Sequence, residues 1–156
     1  MHICIFLYFS VCTTNPQLAM EYRFPFRIGI IGHQSLTDAE KIYVSKEIQK
    51  SIVTVQRSVE NFRKKKAIKS DFFICGISTL SEGAERVFAS EIINLPGVLE
   101  VVLPFRKELY IEDFWGEGSK TEFQNLLTYD AYPVVLDNSH TPDKNLCYYN
   151  ASKLVI

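Results

Sequence analysis

The stretch Phe72–Glu91 (FFICGISTLSEGAERVFASE) most constrains the fold, because an apolar run passes through a small polar turn directly into a helix. Phe72–Cys75 has the composition of a buried strand, Gly76–Gly83 forms the turn, and a helix is predicted to begin at Ala84. The first turn of such a helix presents unpaired N–H groups and a positive dipole end, which favour a bound anion. An ordinary strand–turn–helix connection fits the same residues, so this stretch alone leaves both interpretations open.

A second turn of the same kind comes earlier in the chain. Arg27–Ile31 is a short apolar run typical of a buried strand, and it ends at the small polar turn Gly32–Ser35. Thr37 and Glu40 then have the spacing of a capping box, which predicts the start of a helix. Apolar residues follow at steps of three and four, which indicates a long amphipathic helix that packs against a sheet. These residues are Val44, Ile48, Ile52, Val55, Val59 and Phe62.

The rest of the chain continues to alternate strands with helices. Val98–Leu103 predicts a third strand, and Ser119 with Glu122 predicts a capping box that begins a further helix. Pro133–Leu136 predicts a short strand, and no pattern is apparent after Asp137. Sequential strand–helix–strand units indicate an α/β fold with a mostly parallel sheet. Such sheets bind ligands beyond the carboxyl ends of their strands, so we expect both polar turns to lie there, side by side.

Composition and charge argue against several classes of function. The chain has 156 residues, 47% of them hydrophobic, as is usual for a soluble globular domain. A formal net charge of -1 provides no basic face for nucleic acid. The four cysteines form no CxxC motif, which argues against a zinc site or a disulfide framework and favours reduced thiols in the cytoplasm. We expect no metal, no cofactor and no membrane span. The sequence leaves open whether the protein forms a homo-oligomer.

Residues 1–20 differ from the rest of the chain because they contain no Asp, Glu, Lys or Arg. Ile3–Cys12 is an apolar run as long as the core of a signal peptide, and it is too short to span a bilayer. We favour a start codon assigned too early, with the protein beginning at Met20. Residues 1–20 are then an extension and residues 21–156 are a single domain. A signal or membrane-surface anchor is one alternative, and a true additional strand or helix is the other.

Three motifs resemble one branch of the SLOG superfamily, whose Rossmann-like domains are related to the lonely-guy phosphoribohydrolases and the DNA-processing protein. Ile30–Leu36 (IIGHQSL) resembles the strand-Gly-His-Arg opening of this branch. Leu80–Arg86 (LSEGAER) resembles its Leu-Ala-x-Gly-Ala-Asp-Arg turn. Val101–Phe105, followed by Tyr110 and Asp113-Phe114, resembles its third strand and the Tyr-x-x-Asp-Phe segment after that strand.

The resemblance, which covers about residues 27–136, implies a Rossmann-like three-layer α/β/α domain that binds a nucleotide or a nucleotide-derived ligand. Domains of this branch are generally taken to be ligand sensors in bacterial signalling or defence. The resemblance implies a phosphate held by both turns, with ligand-binding residues carried over position by position. These are Gly32, His33, Gln34, Ser81, Glu82, Gly83, Ala84 and Arg86. The Ala84 amide would point at the anion, and Arg86 would pair with a phosphate or, as a surface salt bridge, with Glu82.

The sequence departs from the family pattern at several points. Gln34 replaces an arginine, Glu85 replaces an aspartate, and the Pro-Gly-Gly-x-Gly-Thr turn of the enzyme members is missing. The family pattern also continues into a further strand, and Leu154–Ile156 resembles the start of that strand. We therefore expect a domain that is incomplete at its C terminus.

Three hypotheses of function follow from these observations. We favour a nucleotide-ligand binding or sensor domain. The first alternative is an enzyme that cleaves a nucleotide N-glycosidic bond, with Glu82 and Glu85 as a carboxylate pair beside Arg86. The second alternative is a truncated remnant that binds nothing. Under the favoured hypothesis, Tyr110 and Phe114 either stack on a base or only cover the edge of the sheet.

Overall fold

The computed structural model describes residues 4–8, as backbone, and residues 23–155. Strands and α-helices alternate through most of these ranges, with one short 3-10 turn. In chain order they are β1 (Cys4–Tyr8), β2 (Arg23–Ile31), α1 (Asp38–Lys65), β3 (Asp71–Ser78), α2 (Ala84–Asn94), β4 (Val98–Leu103), α3 (Lys107–Tyr110), the 3-10 turn (Ile111–Asp113), α4 (Gly116–Leu127), β5 (Val134–Val135) and α5 (Lys144–Val155).

The five strands form one sheet in the order β1-β2-β3-β4-β5. The strands β2 to β5 run parallel to one another, and β1 pairs antiparallel with β2. Because β2, β3 and β4 are neighbours, their C-terminal ends meet at one edge of the sheet, where α/β folds bind ligands. The predicted α/β fold, Rossmann-like with a mostly parallel sheet, is confirmed.

Helices cover both faces of this sheet. A Cβ atom built on Gly76 of β3 would lie 2.5 Å from the Ile92 side chain of α2. A Cβ atom built on Gly29 of β2 would lie 2.0 Å from the Val155 carbonyl oxygen, at the end of α5. Gly29 pairs with Ile77, the neighbour of Gly76, and successive strand residues point to opposite faces. The helices α2 and α5 therefore form two separate layers, with the sheet between them.

The helix α1 follows the predicted pattern closely. The Thr37 side chain accepts a hydrogen bond from the Glu40 amide, and the Glu40 carboxylate accepts one from the Thr37 amide at 2.8 Å. This capping box satisfies amides that a helix end otherwise leaves unpaired. Val44, Ile48 and Ile52 from the apolar stripe are buried, and such burial contributes about 25 cal/mol per Å² of apolar area.

The start of α4 differs from the prediction. The helix begins at Gly116, and Ser119 is already inside it. The Ser119 hydroxyl donates to the Glu82 carboxylate and accepts from the Arg86 guanidinium. The predicted capping box of Ser119 and Glu122 was therefore wrong, because tertiary contacts to the second polar turn engage Ser119.

The helix α5 was not predicted from the sequence. Its exposed residues include Leu146, Tyr149 and Leu154, so its apolar residues do not fall on a single face. Its buried residues are Cys147, Ala151 and Val155. The expectation that a strand starts at Leu154 was wrong, because Leu154 and Val155 belong to α5; Ile156 lies outside the described residues.

The first 20 residues are described only in part. Cys4–Tyr8 forms β1, as in the additional-strand alternative. Met20 lies outside the described residues, so the start-codon and anchor interpretations stay predictions. Within residues 4–8 and 23–155, no helix combines the length and the apolar composition that crossing a bilayer requires.

Candidate functional site

The two polar turns lie side by side at the C-terminal ends of the paired strands β2 and β3. The Ala84 N–H donates to the His33 carbonyl oxygen at 3.0 Å. A Cβ atom built on Gly83 would lie 2.2 Å from the His33 oxygen and 2.4 Å from the Gln34 oxygen. Gly83 also has φ 81° and ψ −124°, a conformation that glycine adopts at no steric cost. Gly83 therefore allows the second turn to dock against the backbone of the first.

This docking uses the amide that the sequence analysis assigned to a bound anion. The Ala84 N–H is engaged by His33, and the carbonyl oxygens of His33 and Gln34 stand close to the start of α2. The next amide of the first turn, that of Glu85, has no intrahelical partner by the geometry of any helix start. The phosphate-binding role of the two turns stays a prediction. One of the predicted phosphate donors, the Ala84 amide, is already hydrogen-bonded to His33.

A cleft of about 270 Å³ opens beyond the C-terminal ends of β2, β3 and β4. The two polar turns contribute Gln34, Ser81 and Glu82 to its lining. The segment after β4 and the helix α5 contribute Tyr110, Asp113, Phe114, Trp115 and Tyr148. We refer to this cavity as the aromatic cleft, since half of the residues that line it are aromatic.

Two carboxylates form hydrogen bonds that connect the segments lining the aromatic cleft. The Glu82 carboxylate accepts a hydrogen bond from the Trp115 amide at 2.9 Å, which fixes the start of α4. The Asp113 carboxylate accepts from the Tyr148 hydroxyl at 2.6 Å and pairs with the Lys144 ammonium. A carboxylate offers about four lone-pair positions, so both groups keep acceptor capacity for a ligand.

Tyr110 lines the cleft and is deeply buried, with 1% of the residue exposed. Its ring packs edge-on against Phe105, Phe114 and Phe123, at centroid distances between 4.8 and 5.6 Å. Burial raises the pKa of the Tyr110 hydroxyl, which therefore stays protonated. The Thr79 side chain is a polar neighbour of this hydroxyl, but no described residue lies within full hydrogen-bonding geometry of it. A buried donor without a partner costs about 1–3 kcal/mol, and a ligand acceptor would remove that cost.

Glu85 stabilises the second turn from the inside. This residue is 7% exposed, and its carboxylate accepts from the Thr79 amide at 3.0 Å and from the Thr79 hydroxyl. Burial raises the pKa of Glu85, and hydrogen bonds from Thr79 and Ser81 oppose that rise. Glu82 and Glu85 thus engage different segments, because Glu82 is bonded to Trp115.

We expect the stability of the wild type relative to Glu85→Gln to fall as pH rises through the acid range. The folded pKa of Glu85 is raised, so the folded state holds this proton more tightly than the unfolded state. Stability is then lost from the unfolded pKa, about 4.3, upward to the folded pKa. Urea unfolding of both proteins at a series of pH values measures the difference, with exposed Glu112→Gln as the control. A difference that stays constant or grows with pH would contradict the expectation.

Arg86 is buried, with 2% of the residue exposed. Its Nη1 donates to the Ser119 carbonyl at 2.9 Å, to the Ser119 hydroxyl at 2.7 Å and to the Glu122 carboxylate at 3.1 Å. The centre of its guanidinium lies 4.4 Å from the centroid of the Phe114 ring. The alternative of a surface salt bridge with Glu82 was wrong, because Arg86 is buried and its carboxylate partner is Glu122.

A larger depression of about 1150 Å³, the outer groove, lies between α1, α2 and α4. All eight predicted site residues surround the two turns, but they divide between these cavities. Ser81 lines only the cleft, Gln34 and Glu82 line both cavities, and Gly83 and Arg86 line only the outer groove. The residues that line neither are Gly32, His33 and Ala84. These three form the contact between the turns.

Sequence analysis missed two residues of the cleft, Trp115 and Tyr148. Tyr148 belongs to α5, whose mixed pattern gave no helix signal. Trp115 follows directly on the Asp113-Phe114 motif, and an aromatic residue beside two glycines in a loop is the signal that could have found it. Among the described residues, no three or more His, Cys, Asp and Glu side chains are arranged to hold a metal ion.

Comparisons of this chain with protein-family models, with curated proteins and with solved structures gave no match. The resemblance to the SLOG superfamily therefore rests on the three motifs quoted above. Membership of that superfamily stays a prediction.

Proposed function

We propose that this protein binds a nucleotide or a nucleotide-derived small molecule in the aromatic cleft. The observation that carries the proposal is the position of the cleft, beyond the carboxyl ends of three adjacent parallel strands. Ligands of open α/β sheets bind in this position. Residues of both polar turns line the cleft, which agrees with the resemblance noted in the sequence.

The chemistry of the lining supports a ligand with a flat ring and several polar groups. Trp115 is 86% exposed although it is a large aromatic residue, and bases of nucleotides stack on such rings. Gln34 can both donate and accept hydrogen bonds, and Glu82 and Asp113 can accept them from hydroxyl or amino groups. The Tyr110 hydroxyl supplies a buried donor. A pocket with aromatic walls and a few convergent polar groups is typical of small-molecule sites.

The role of a ligand sensor and a cytoplasmic location belong to the same proposal, and they rest on the resemblance and on the cysteine pattern. No contact favours the alternative of N-glycosidic hydrolysis by Glu82 and Glu85, since both carboxylates are hydrogen-bonded by protein donors. The alternative is nevertheless simple to test, because release of a free base from the same samples would reveal turnover.

Thermal unfolding of the full chain with a panel of nucleosides, nucleotides, cyclic dinucleotides and ADP-ribose derivatives tests the proposal. A ligand at about 100 times its dissociation constant adds about 2.7 kcal/mol of stability. In a domain of this size that gain raises the melting temperature by about 5–11 °C. We expect at least one member of the panel to produce such a shift.

The matched variants are Trp115→Ala and Tyr132→Ala. Both side chains are largely exposed, 86% and 89%, but only Trp115 lines the cleft. The ligand-induced shift should shrink in Trp115→Ala and persist in Tyr132→Ala. A panel without any shift, or a shift that both variants preserve, would refute binding in this cleft.

A further inference from the structure

We propose that the aromatic cleft takes a nucleoside, that is, a heterocyclic base with its sugar and without a phosphate group. This inference rests on the proposed function and narrows it to one chemical class of ligand. It follows from the charge of the cleft, from the helix ends around it, from its size and from its polar groups.

The described lining of the cleft contains two carboxylates, those of Glu82 and Asp113, and no Lys, Arg or His side chain. Outside the lining, the Lys144 ammonium pairs with Asp113. The Arg86 guanidinium, also outside the lining, lies 4.4 Å from the centroid of the Phe114 ring. A phosphate group in the cleft would meet carboxylates of its own sign at short range, and like charges repel strongly where water is partly excluded.

Two backbone amides at the helix starts near the cleft are already hydrogen-bonded within the protein. The first amide of α2, that of Ala84, donates to the His33 carbonyl oxygen at 3.0 Å. The Trp115 amide at the start of α4 donates to the Glu82 carboxylate at 2.9 Å. Backbone amides at helix starts are the usual phosphate ligands of α/β folds. Here the protein's own oxygens already occupy these two amides.

The size of the cleft and its rings suit a base and a sugar. The volume of about 270 Å³ lies just below the range of about 300–1,000 Å³ that is common for drug-sized ligands. This volume suits a nucleoside better than a dinucleotide. Phe114, Trp115 and Tyr148 line the cleft, and aromatic side chains offer faces on which any base can stack.

The polar groups match the donors and acceptors of a nucleoside. The buried Tyr110 hydroxyl makes no hydrogen bond of full geometry with a described residue, and a ring nitrogen or a carbonyl of a base is a neutral acceptor for it. Glu82 and Asp113 accept hydrogen bonds, and sugar hydroxyls and exocyclic amino groups donate them. A phosphate dianion offers no donor to either carboxylate.

The test compares adenosine, guanosine, cytidine and uridine with their 5′-monophosphates on the full chain. Trp115 is the only tryptophan of the chain, so its fluorescence reports stacking, and calorimetry measures affinity independently. We expect at least one nucleoside to bind, and its monophosphate to bind about tenfold more weakly or worse. Equal or tighter binding of the monophosphate would overturn this inference and leave the proposed function intact. Binding of neither class, nor of any other nucleotide derivative, would overturn the proposed function itself.

Three substitutions separate the effect of charge from other causes of the preference. Asp113→Asn removes one cleft carboxylate and releases Lys144, so the preference for the nucleoside should shrink by about threefold or more. Asp38→Asn makes the same charge change on α1, where the side chain is 99% exposed, and should leave the preference unchanged. Trp115→Ala should weaken the binding of the nucleoside and of the monophosphate alike, by about fivefold or more. A preference that survives Asp113→Asn unchanged in a folded variant would contradict the charge argument.

Discussion

The Gly83→Ala variant is expected to lose about 2–5 kcal/mol of unfolding free energy, because two costs add at this position. Gly83 has a φ of 81° and a ψ of −124°, and a residue with a Cβ atom in such a sparsely populated region is strained by at least about 1 kcal/mol. The added Cβ would lie 2.2 Å from the His33 carbonyl oxygen and 2.4 Å from that of Gln34. Overpacking costs about 1–3 kcal/mol. The atoms nearest the added Cβ belong to the backbone, so they can move away only if the two turns separate.

Thermal unfolding of the full chain measures this loss. One kcal/mol shifts the melting temperature of a domain of this size by about 2–4 °C, so we expect a decrease of about 4–20 °C. Gly118→Ala is the matched control, since Gly118 lies within α4 and nothing stands within 4 Å of an added Cβ. Alanine there should preserve or raise the melting temperature. A Gly83→Ala variant as stable as the Gly118→Ala variant would mean that the turns do not dock through Gly83.

The sequence predicted the elements whose signals are local. The capping box at Thr37 and the apolar stripe of α1 needed no partner to be recognised, and both are present. Val98–Leu103 coincides with β4, and the helix start at Ala84 coincides with α2. The helix α5 has small buried residues and apolar exposed ones, so its pattern became clear only once the sheet beneath it was known.

The candidate site was only partly predictable, because its contacts join residues far apart in the chain. Sequence order placed both polar turns at the same edge of the sheet. It did not indicate that the His33 carbonyl would take the Ala84 amide, or that Glu82 would bond to Trp115, 33 residues away. The residue types therefore indicated which turns lie next to the cleft. The tertiary fold determines which of their polar groups remain available to a ligand.

The Arg86→Met variant is expected to lose about 2–4 kcal/mol of unfolding free energy. Nε of Arg86 donates to the Leu80 carbonyl at 3.0 Å, and Nη1 donates to Ser119 and Glu122. Hydrogen bonds from a charged group contribute about 1.5–3 kcal/mol each. Because Glu122 is half exposed and regains water, the total loss is smaller than the sum. Methionine keeps an apolar contact with the Phe114 ring, so the variant tests the hydrogen bonds rather than a cavity.

The same variant should loosen α4 where it contacts the second turn. Ser119 and Glu122 are the fourth and the seventh of the twelve residues of α4, and Arg86 links them to α2. Amide hydrogen exchange in residues 116–122 should therefore become faster in Arg86→Met, while exchange in the middle of α1 should change little. Equal acceleration in both helices would indicate a general loss of stability instead of a local one.

Glu122→Gln and Arg86→Lys show which property of Arg86 matters. Glu122 is 54% exposed, and exposed ion pairs contribute about 0–1 kcal/mol, so Glu122→Gln should cost much less than Arg86→Met. Lysine keeps the charge but lacks the planar guanidinium that reaches Leu80 and Ser119 together. The unfolding free energy of Arg86→Lys should therefore be closer to that of Arg86→Met than to that of the wild type. If Arg86→Met costs no more than Glu122→Gln, Arg86 contributes only an ion pair. The start of α4 would then be held by Glu82 through Trp115 and Ser119 alone.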